Sequence, residues 1–240
     1  MSMNKFEIIV FSDFDGTITS IDLGDEIFRK FGELEPYNSQ LKSGFINVKQ
    51  YWHLVCKTLK KDLTINEIEE FAFSAEIDSN FVNFANTCSK ENWKLSIVSD
   101  GFEEYINPIL KKHNLDYLQV TCNKLEKIGT SFIPVYSGAS ESCNCLSASC
   151  KRNVILNNSN EESILVYIGD GYSDYCAAEH CDVIFAKKNL ATYLSGKKIP
   201  YHPFKNFFDV KRILMSIIEN KKIKKRNQAF LLREKAFIYE

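Results

Sequence analysis

The chain has 240 residues, 45% hydrophobic and 13% aromatic, which is enough for one larger domain with a modest insertion and a sizeable core. Its 30 basic residues against 31 acidic ones leave a formal charge of -1, so no global field draws it to nucleic acid or anionic lipid, and neither is expected as a partner. Acids interrupt the opening MSMNKFEIIVFSDFDG too soon for a signal peptide, and no apolar run is long enough to span a bilayer, so a cytoplasmic location is the default expectation.

In chain order, the apolar run Phe6 to Phe11 reads as a buried strand, and DFDGTIT follows it directly. From Ile18 to about Asn92 apolar residues recur every three or four positions. The stretch reads mostly as helices, DLGDEIFRKF, VKQYWHLVCKTL, TINEIEEFAF and FVNFANTCSK among them. Short β runs then take over: Lys94 to Val98, Leu118 to Cys122, Ile164 to Ile168 and Asp182 to Ala186, separated by helical or polar segments. This alternation predicts an α/β fold, a Rossmann-like, doubly wound parallel sheet covered by helices, with a small helical domain inserted after the first strand. Residues 1–17 and 93–240 form the expected core and 18–92 the expected cap.

GTSFIPVY is a candidate extra strand or hairpin. The stretch after it, SCNCLSASCK, crowds Cys143, Cys145 and Cys150 together, and either a reduced thiol-rich loop or a zinc site with a fourth ligand from elsewhere fits that spacing. Cys56, Cys88, Cys122, Cys176 and Cys181 read as core residues. The basic cluster Lys221, Lys222, Lys224, Lys225 and Arg226 reads as the solvated face of a terminal helix.

Open parallel sheets gather ligands at the carboxyl ends of their strands, so polar groups that follow β runs are expected to converge. Asp13 and Asp15, two apart, are expected to face one volume if the strand geometry persists to that point. Such a carboxylate pair suits attack on phosphorus, one group attacking while the other handles a proton. Gly16 allows a sharp turn and Thr17 adds a hydroxyl. Ser99, with Asp100 and Gly101, follows the second strand and offers N–H groups to an anion. Asp170 and Asp174 in YIGDGYSD are placed to ligate a hard cation or steady a lysine, and Lys151 opens a helix as the candidate lysine.

Asp-x-Asp-Gly-Thr, a strand-end Ser, a Lys and Gly-Asp-Gly-x-x-Asp, in this order, resemble the haloacid dehalogenase superfamily of phosphohydrolases. Within it the chain looks like the helical-cap subclass related to phosphoserine phosphatase. It looks most like the methionine-salvage 2-hydroxy-3-keto-5-methylthiopentenyl-1-phosphate phosphatases, with which it shares a cysteine-rich approach to the lysine, DVIFAKKNLATYL and HPFKNFFDV. The resemblance implies a magnesium-dependent phosphatase acting on a small phosphate ester through an aspartyl-phosphate. Asp13 would be the nucleophile and Asp15 the general acid and base. Mg2+ would be held by Asp13, Asp170 and the main-chain carbonyl of Asp15, with Asp174 behind them orienting Lys151. Ser99, Asp100 and Gly101 would hold phosphoryl oxygens, and Thr17 would help place Asp15. Asp22 would either face the substrate or cap the helix DLGDEIF. Two other readings stay open: a phosphotransferase or phosphomutase passing the same phosphoryl group to an alcohol, and a noncatalytic phospholigand-binding module. A dehalogenase has no use for Asp15.

Overall fold

The computed structural model describes residues 6–137, 143, 145 and 147–239. Residues 1–5 of the expected core and positions 142, 144 and 146 of the cysteine stretch lie outside them. The chain runs β1 (Glu7–Ser12), α1 (Leu23–Phe31), α2 (Tyr37–Lys42), α3 (Val48–Thr58), α4 (Ile65–Phe73), α5 (Phe81–Lys90), β2 (Lys94–Phe102), α6 (Glu103–Lys112), β3 (Gln119–Ile128) and β4 (Ser131–Val135). It continues through α7 (Lys151–Asn157), β5 (Ser163–Gly169), a 3-10 turn (Tyr172–Asp174), α8 (Tyr175–Glu179), β6 (Val183–Ala186), α9 (Lys188–Gly196), β7 (His202–Pro203), α10 (Phe207–Glu219) and α11 (Asn227–Tyr239).

The strands form one sheet in the order β4-β3-β2-β1-β5-β6-β7. All neighbours are parallel except β3 and β4, the hairpin expected at GTSFIPVY, which turns through Gly129 at a φ of 62°. Period-two alternation divides the core between the two faces. Ile8 and Val10 of β1 pack on the side of α5, α6 and α10, whereas Ile9 and Phe11 pack on the side of α7, α8 and α9. The doubly wound sheet expected from the sequence is therefore present. Its strand order reverses at β1, which pairs with β2 on one side and β5 on the other, so the crevice beyond the carboxyl end of β1 is where such a sheet binds ligands.

Between β1 and β2 the chain builds five helices, the four segments given as examples and the short α2, as the helical reading of this stretch expects. Asn47 and Thr64 start α3 and α4 with reciprocal capping boxes. The chain leaves the sheet and returns to it side by side. Thr19 bridges Ile77, and the Asp78 N–H donates to the Ile18 carbonyl at 2.8 Å. α5 lies on the sheet side of this crossing, where Phe81 and Phe84 meet Phe207 of α10 with ring centroids 4.7 and 5.3 Å apart.

Two expectations are corrected. The basic cluster at 221–226 is not a helix face but the irregular connection between α10 and α11. Arg226 there donates to the carbonyls of Ala178, Glu179 and Cys181, and Arg233 of α11 donates to the His180 carbonyl at 2.6 Å and pairs with Asp182. Cys176 is not a core residue either. It is half-buried and turns toward Cys143, while Cys56, Cys88, Cys122 and Cys181 are buried as expected. No helix among the described residues is long and apolar enough to cross a membrane.

Candidate active site

Asp13 stands one residue past β1, and its N–H donates to the Ile168 carbonyl of β5 at 2.9 Å, so strand pairing continues to the carboxylate itself. Lys151, the first residue of α7, reaches across the crevice. Its Nζ lies 2.7 Å from Asp13 Oδ1 and 2.7 Å from Asp174 Oδ1. All three side chains are nearly sealed from water, at 5%, 1% and 0% exposure. Burial alone would lower the lysine, but the two carboxylates outweigh it and hold the ammonium above its ordinary range. Asp13 is driven well up by burial and by Asp174, with Lys151 pulling the other way.

Asp170 follows β5, where burial and Asp174 raise its carboxyl. Thr17 donates to its Oδ1 at 3.3 Å, and Lys188 reaches its Oδ2 at 2.8 Å. Gly16, at a φ of 71°, brings the turn after β1 so close that any Cβ there would overlap the Asp170 carboxylate. Asp174 is fully engaged. Its Oδ1 takes Lys151 and the Tyr167 hydroxyl, and its Oδ2 takes the N–H groups of Asp170 and Gly171.

The Asp15 side chain points to a different set of partners. The Leu23 N–H donates to its Oδ1 at 2.9 Å and the Tyr105 hydroxyl to its Oδ2 at 2.5 Å. Burial raises this carboxyl to about 6 against those two bonds. Gly101 makes room for the Tyr105 contact, because a Cβ there would overlap the hydroxyl. Ser99, Asp100 and Gly101 lie where the β2–β3 register breaks between Val98 and Phe102, and this irregularity turns the strand end over the crevice. The Gly101 N–H donates to Ser99 Oγ at 3.0 Å. The Asp100 carboxylate is taken up by other partners: it accepts the N–H groups of Ala148 and Ser149, the Asn123 amide and, at 3.3 Å, Trp52 Nε1 of α3. Asp22 is the N-cap of α1 and accepts the Asp25 N–H at 2.9 Å.

Four further residues complete the constellation without having been singled out by motif: Tyr105, Tyr167, Trp52 and Lys188. Lys188 carried the clearest signal, since it lies two residues past a β run, the same strand-end position that marks Asp170. It adopts a φ of 46°, a left-handed conformation that a lysine takes only at an energetic cost.

Carboxylate oxygens of Asp13, Asp170 and Asp174 approach within 4.8 Å of one another. With Asp174 saturated by four hydrogen bonds, Asp13 and Asp170 are the carboxylates left to face a cation. The hard oxygens of Asp13 and Asp170, whose proton affinity is raised by burial and by the neighbouring carboxylates, fit a small divalent ion such as Mg2+.

Comparison with known proteins supplies the lineage. A family model described as Putative Phosphatase matches residues 8–215. The 2-hydroxy-3-keto-5-methylthiopentenyl-1-phosphate phosphatase of Brevibacillus brevis is 29% identical over 214 residues, covering 88% of this chain and 96% of that protein. The Bacillus cereus protein of the same name is 28% identical over 218 residues, covering 89% and 99%. A substrate-bound phosphoserine phosphatase complex shares the fold with a TM-score of 0.67 at 22% identity, over 89% of this chain and 99% of the other. A phospho-aspartyl intermediate analogue of phosphoserine phosphatase gives 0.66 at 22% identity over the same shares. Since the family match runs from β1 into α10 and takes in every strand and every strand-end carboxylate described above, the chain belongs to this phosphatase family.

Proposed function

We propose that the chain hydrolyses the phosphate monoester of a small metabolite with Asp13 as nucleophile, Asp15 as general acid and base, and Mg2+ held by Asp13, Asp170 and the Asp15 main-chain carbonyl. The observation that carries this reading is the division of labour between the first two carboxylates. Asp13 is clamped by Lys151, whereas Asp15 is held apart by Tyr105 and Leu23 with its carboxyl raised to about 6. A carboxyl titrating there gives up a proton and takes it back near neutral pH, as a group that serves both half-reactions must.

When bound, Mg2+ supplies positive charge against the phosphoryl oxygens. Lys151 adds a second cation and holds Asp13 in position to attack phosphorus. As the P–O bond to the leaving group breaks, Asp15 gives that oxygen its proton. Asp15 then removes a proton from the water that cleaves the aspartyl-phosphate, and free phosphate and the Asp13 carboxylate are regenerated. Ser99 and the Asp100 N–H hold the phosphoryl oxygens, the Gly101 N–H orients the Ser99 hydroxyl by donating to it, and Thr17 steadies the turn. Asp174 keeps Lys151 aimed.

The cap in this reading is residues 20–76, hinged at Thr19 and Ile77, with α5 part of the core. It presents the half-buried Trp52 next to the core, packed on the buried rings of Phe28 in the cap and Phe102 in β2, with ring centroids 5.8 and 5.0 Å apart. An aromatic wall suits an apolar leaving group better than a zwitterion. This supports the substrate named for the Brevibacillus and Bacillus relatives, an enolate phosphate with a methylthio tail, over phosphoserine.

The test is phosphate release, with and without magnesium, from that enolate phosphate, phosphoserine, phosphocholine, phosphoethanolamine and sugar phosphates. Magnesium-dependent release that favours the enolate phosphate is expected. Asp13→Asn should abolish it with an unchanged circular dichroism spectrum, and turnover retained in that variant would remove Asp13 as nucleophile.

A further inference from the structure

Outside the carboxylate crevice, the described residues hold a second cluster of metal-binding side chains. The Sγ atoms of Cys143, Cys145 and Cys150 all lie within 4.8 Å of one another. Cys176, in α8, which packs against α7 on the same face of the sheet, brings its Sγ to 3.7 Å from that of Cys143. We propose that these four cysteines bind one structural zinc ion.

The spacing is right for a shared metal and wrong for a disulfide. A bonded sulfur pair stands about 2.05 Å apart. Four thiolates at about 2.3 Å from one zinc stand roughly 3.8 Å from each other. A polynuclear iron–sulfur cluster sets its thiolates on different irons and needs a wider cage than this one. The setting also differs from that of the other cysteines. Cys56, Cys88, Cys122 and Cys181 are buried as small apolar groups, while Cys143, Cys145 and Cys176 are half-buried and turned toward other sulfurs. With Cys176 drawn in beside Cys143, three sulfurs from one loop and a fourth from a helix would close a tetrahedral set, the arrangement of structural rather than catalytic zinc.

The position gives the ion a task. Cys150 directly precedes Lys151, and Cys176 follows Asp174 by two residues. Between Cys145 and Cys150, the Ala148 and Ser149 N–H groups hold the Asp100 carboxylate. Zinc would therefore tie the irregular approach to Lys151 to the helix that follows the Asp170–Asp174 motif, fixing both ends of the lysine–aspartate pair.

The test is metal content of the full chain, expressed in zinc-supplemented medium, purified without chelator and dialysed against magnesium. About one zinc per chain by elemental analysis is expected. Cobalt-reconstituted protein should show the thiolate-to-cobalt charge-transfer band and strong d–d absorption of a tetrahedral thiolate site. Asp13→Asn should keep the zinc while losing phosphate release, so the zinc assignment and the phosphatase assignment fail separately. Cys143→Ser with Cys176→Ser should lose both zinc and the cobalt band. Should those variants fail to fold, wild-type thiol counting decides: Cys143, Cys145, Cys150 and Cys176 should resist alkylation until the metal is chelated. Absence of zinc, bound iron in its place, a mass two hydrogens short from an S–S bond, or free alkylation of all four thiols in the folded chain would overturn the proposal.

Discussion

Tyr105 shows how much a single hydroxyl can decide at the residue scale. Its O–H donates to Asp15 at 2.5 Å from a fully buried ring, and Gly101 is the residue that lets it approach. Without this bond the Asp15 side chain would keep only the Leu23 N–H from its observed pair of donors, and the proposed acid and base would lose its aim. Hydrogen bonds to charged groups contribute about 1.5–3 kcal/mol, so Tyr105→Phe is expected to lower kcat by roughly 10- to 100-fold. KM should change little, because the hydroxyl serves Asp15 rather than the substrate. Steady-state kinetics separate the two parameters, and a variant with raised KM and intact kcat would make Tyr105 part of the substrate wall instead. The residues that were legible in the sequence, Asp13, Asp15, Lys151, Asp170 and Asp174, sit at or just past strand and helix ends, where local pattern fixes position, and Ser99, expected just past the second strand, sits instead inside β2 where its register breaks. Tyr105 and Trp52 were not, because their partners lie 90 and 48 positions away in the chain and nothing in a helical period names a contact at that range.

At the scale of elements, the junction of α6 with β3 carries an unusual charge. Glu104 in the first turn of α6 is buried, and both its carboxylate oxygens accept the Leu125 N–H at 3.0 Å. Burial pushes its carboxyl up to about 7, with the Leu125 N–H pulling back. The unfolded chain releases this proton near the ordinary glutamate value of 4.5. Folding therefore takes up a proton between those two values, and the stability of the chain falls as pH rises through that window. Glu104→Gln keeps an acceptor for Leu125 and removes the titration. Relative to the parent, its thermal midpoint should improve by about 2–4 °C for each ~1 kcal/mol of penalty relieved as the buffer moves from pH 5 to pH 8. Differential scanning calorimetry at the two pH values checks this, and a constant offset between the proteins would place the buried charge elsewhere. The same scale shows where periodicity runs out. The patterns of α4 and α5 are equally amphipathic, yet α4 packs on α6 and α5 on β2 and α10. A hydrophobic stripe announces a helix without naming the surface it covers.

For the whole molecule, the question is how far the helical insertion moves. The crossing at Thr19 and Ile77 gives it two adjacent strands of attachment, the geometry of a hinge. Near the site the helices α1 and α3 meet the core through few polar contacts, chiefly the Leu23 N–H on Asp15 and Trp52 Nε1 on Asp100. Farther out, Lys112 donates to the Ala75 carbonyl at 3.3 Å and Lys127 to the Leu63 carbonyl at 2.5 Å. A proposed two-step hydrolysis needs both a dry and a wet site, and a lid hinged at this crossing supplies them in turn. Trp52 is placed to report the change, because its indole bridges lid and core. The chain has 2 tryptophans, and the other, Trp93, is buried where α5 meets β2. In a Trp93→Phe background, adding magnesium with orthovanadate, a mimic of the transferring phosphoryl group, should shift Trp52 emission saturably. The same addition to Asp13→Asn in that background should leave the emission unchanged, since the proposed nucleophile, which would hold vanadium, is gone. A saturable shift in both proteins would mean that oxyanion binding alone closes the lid. No shift in either, with binding confirmed calorimetrically, would mean that the helices stay fixed over the crevice and that substrate enters by another edge.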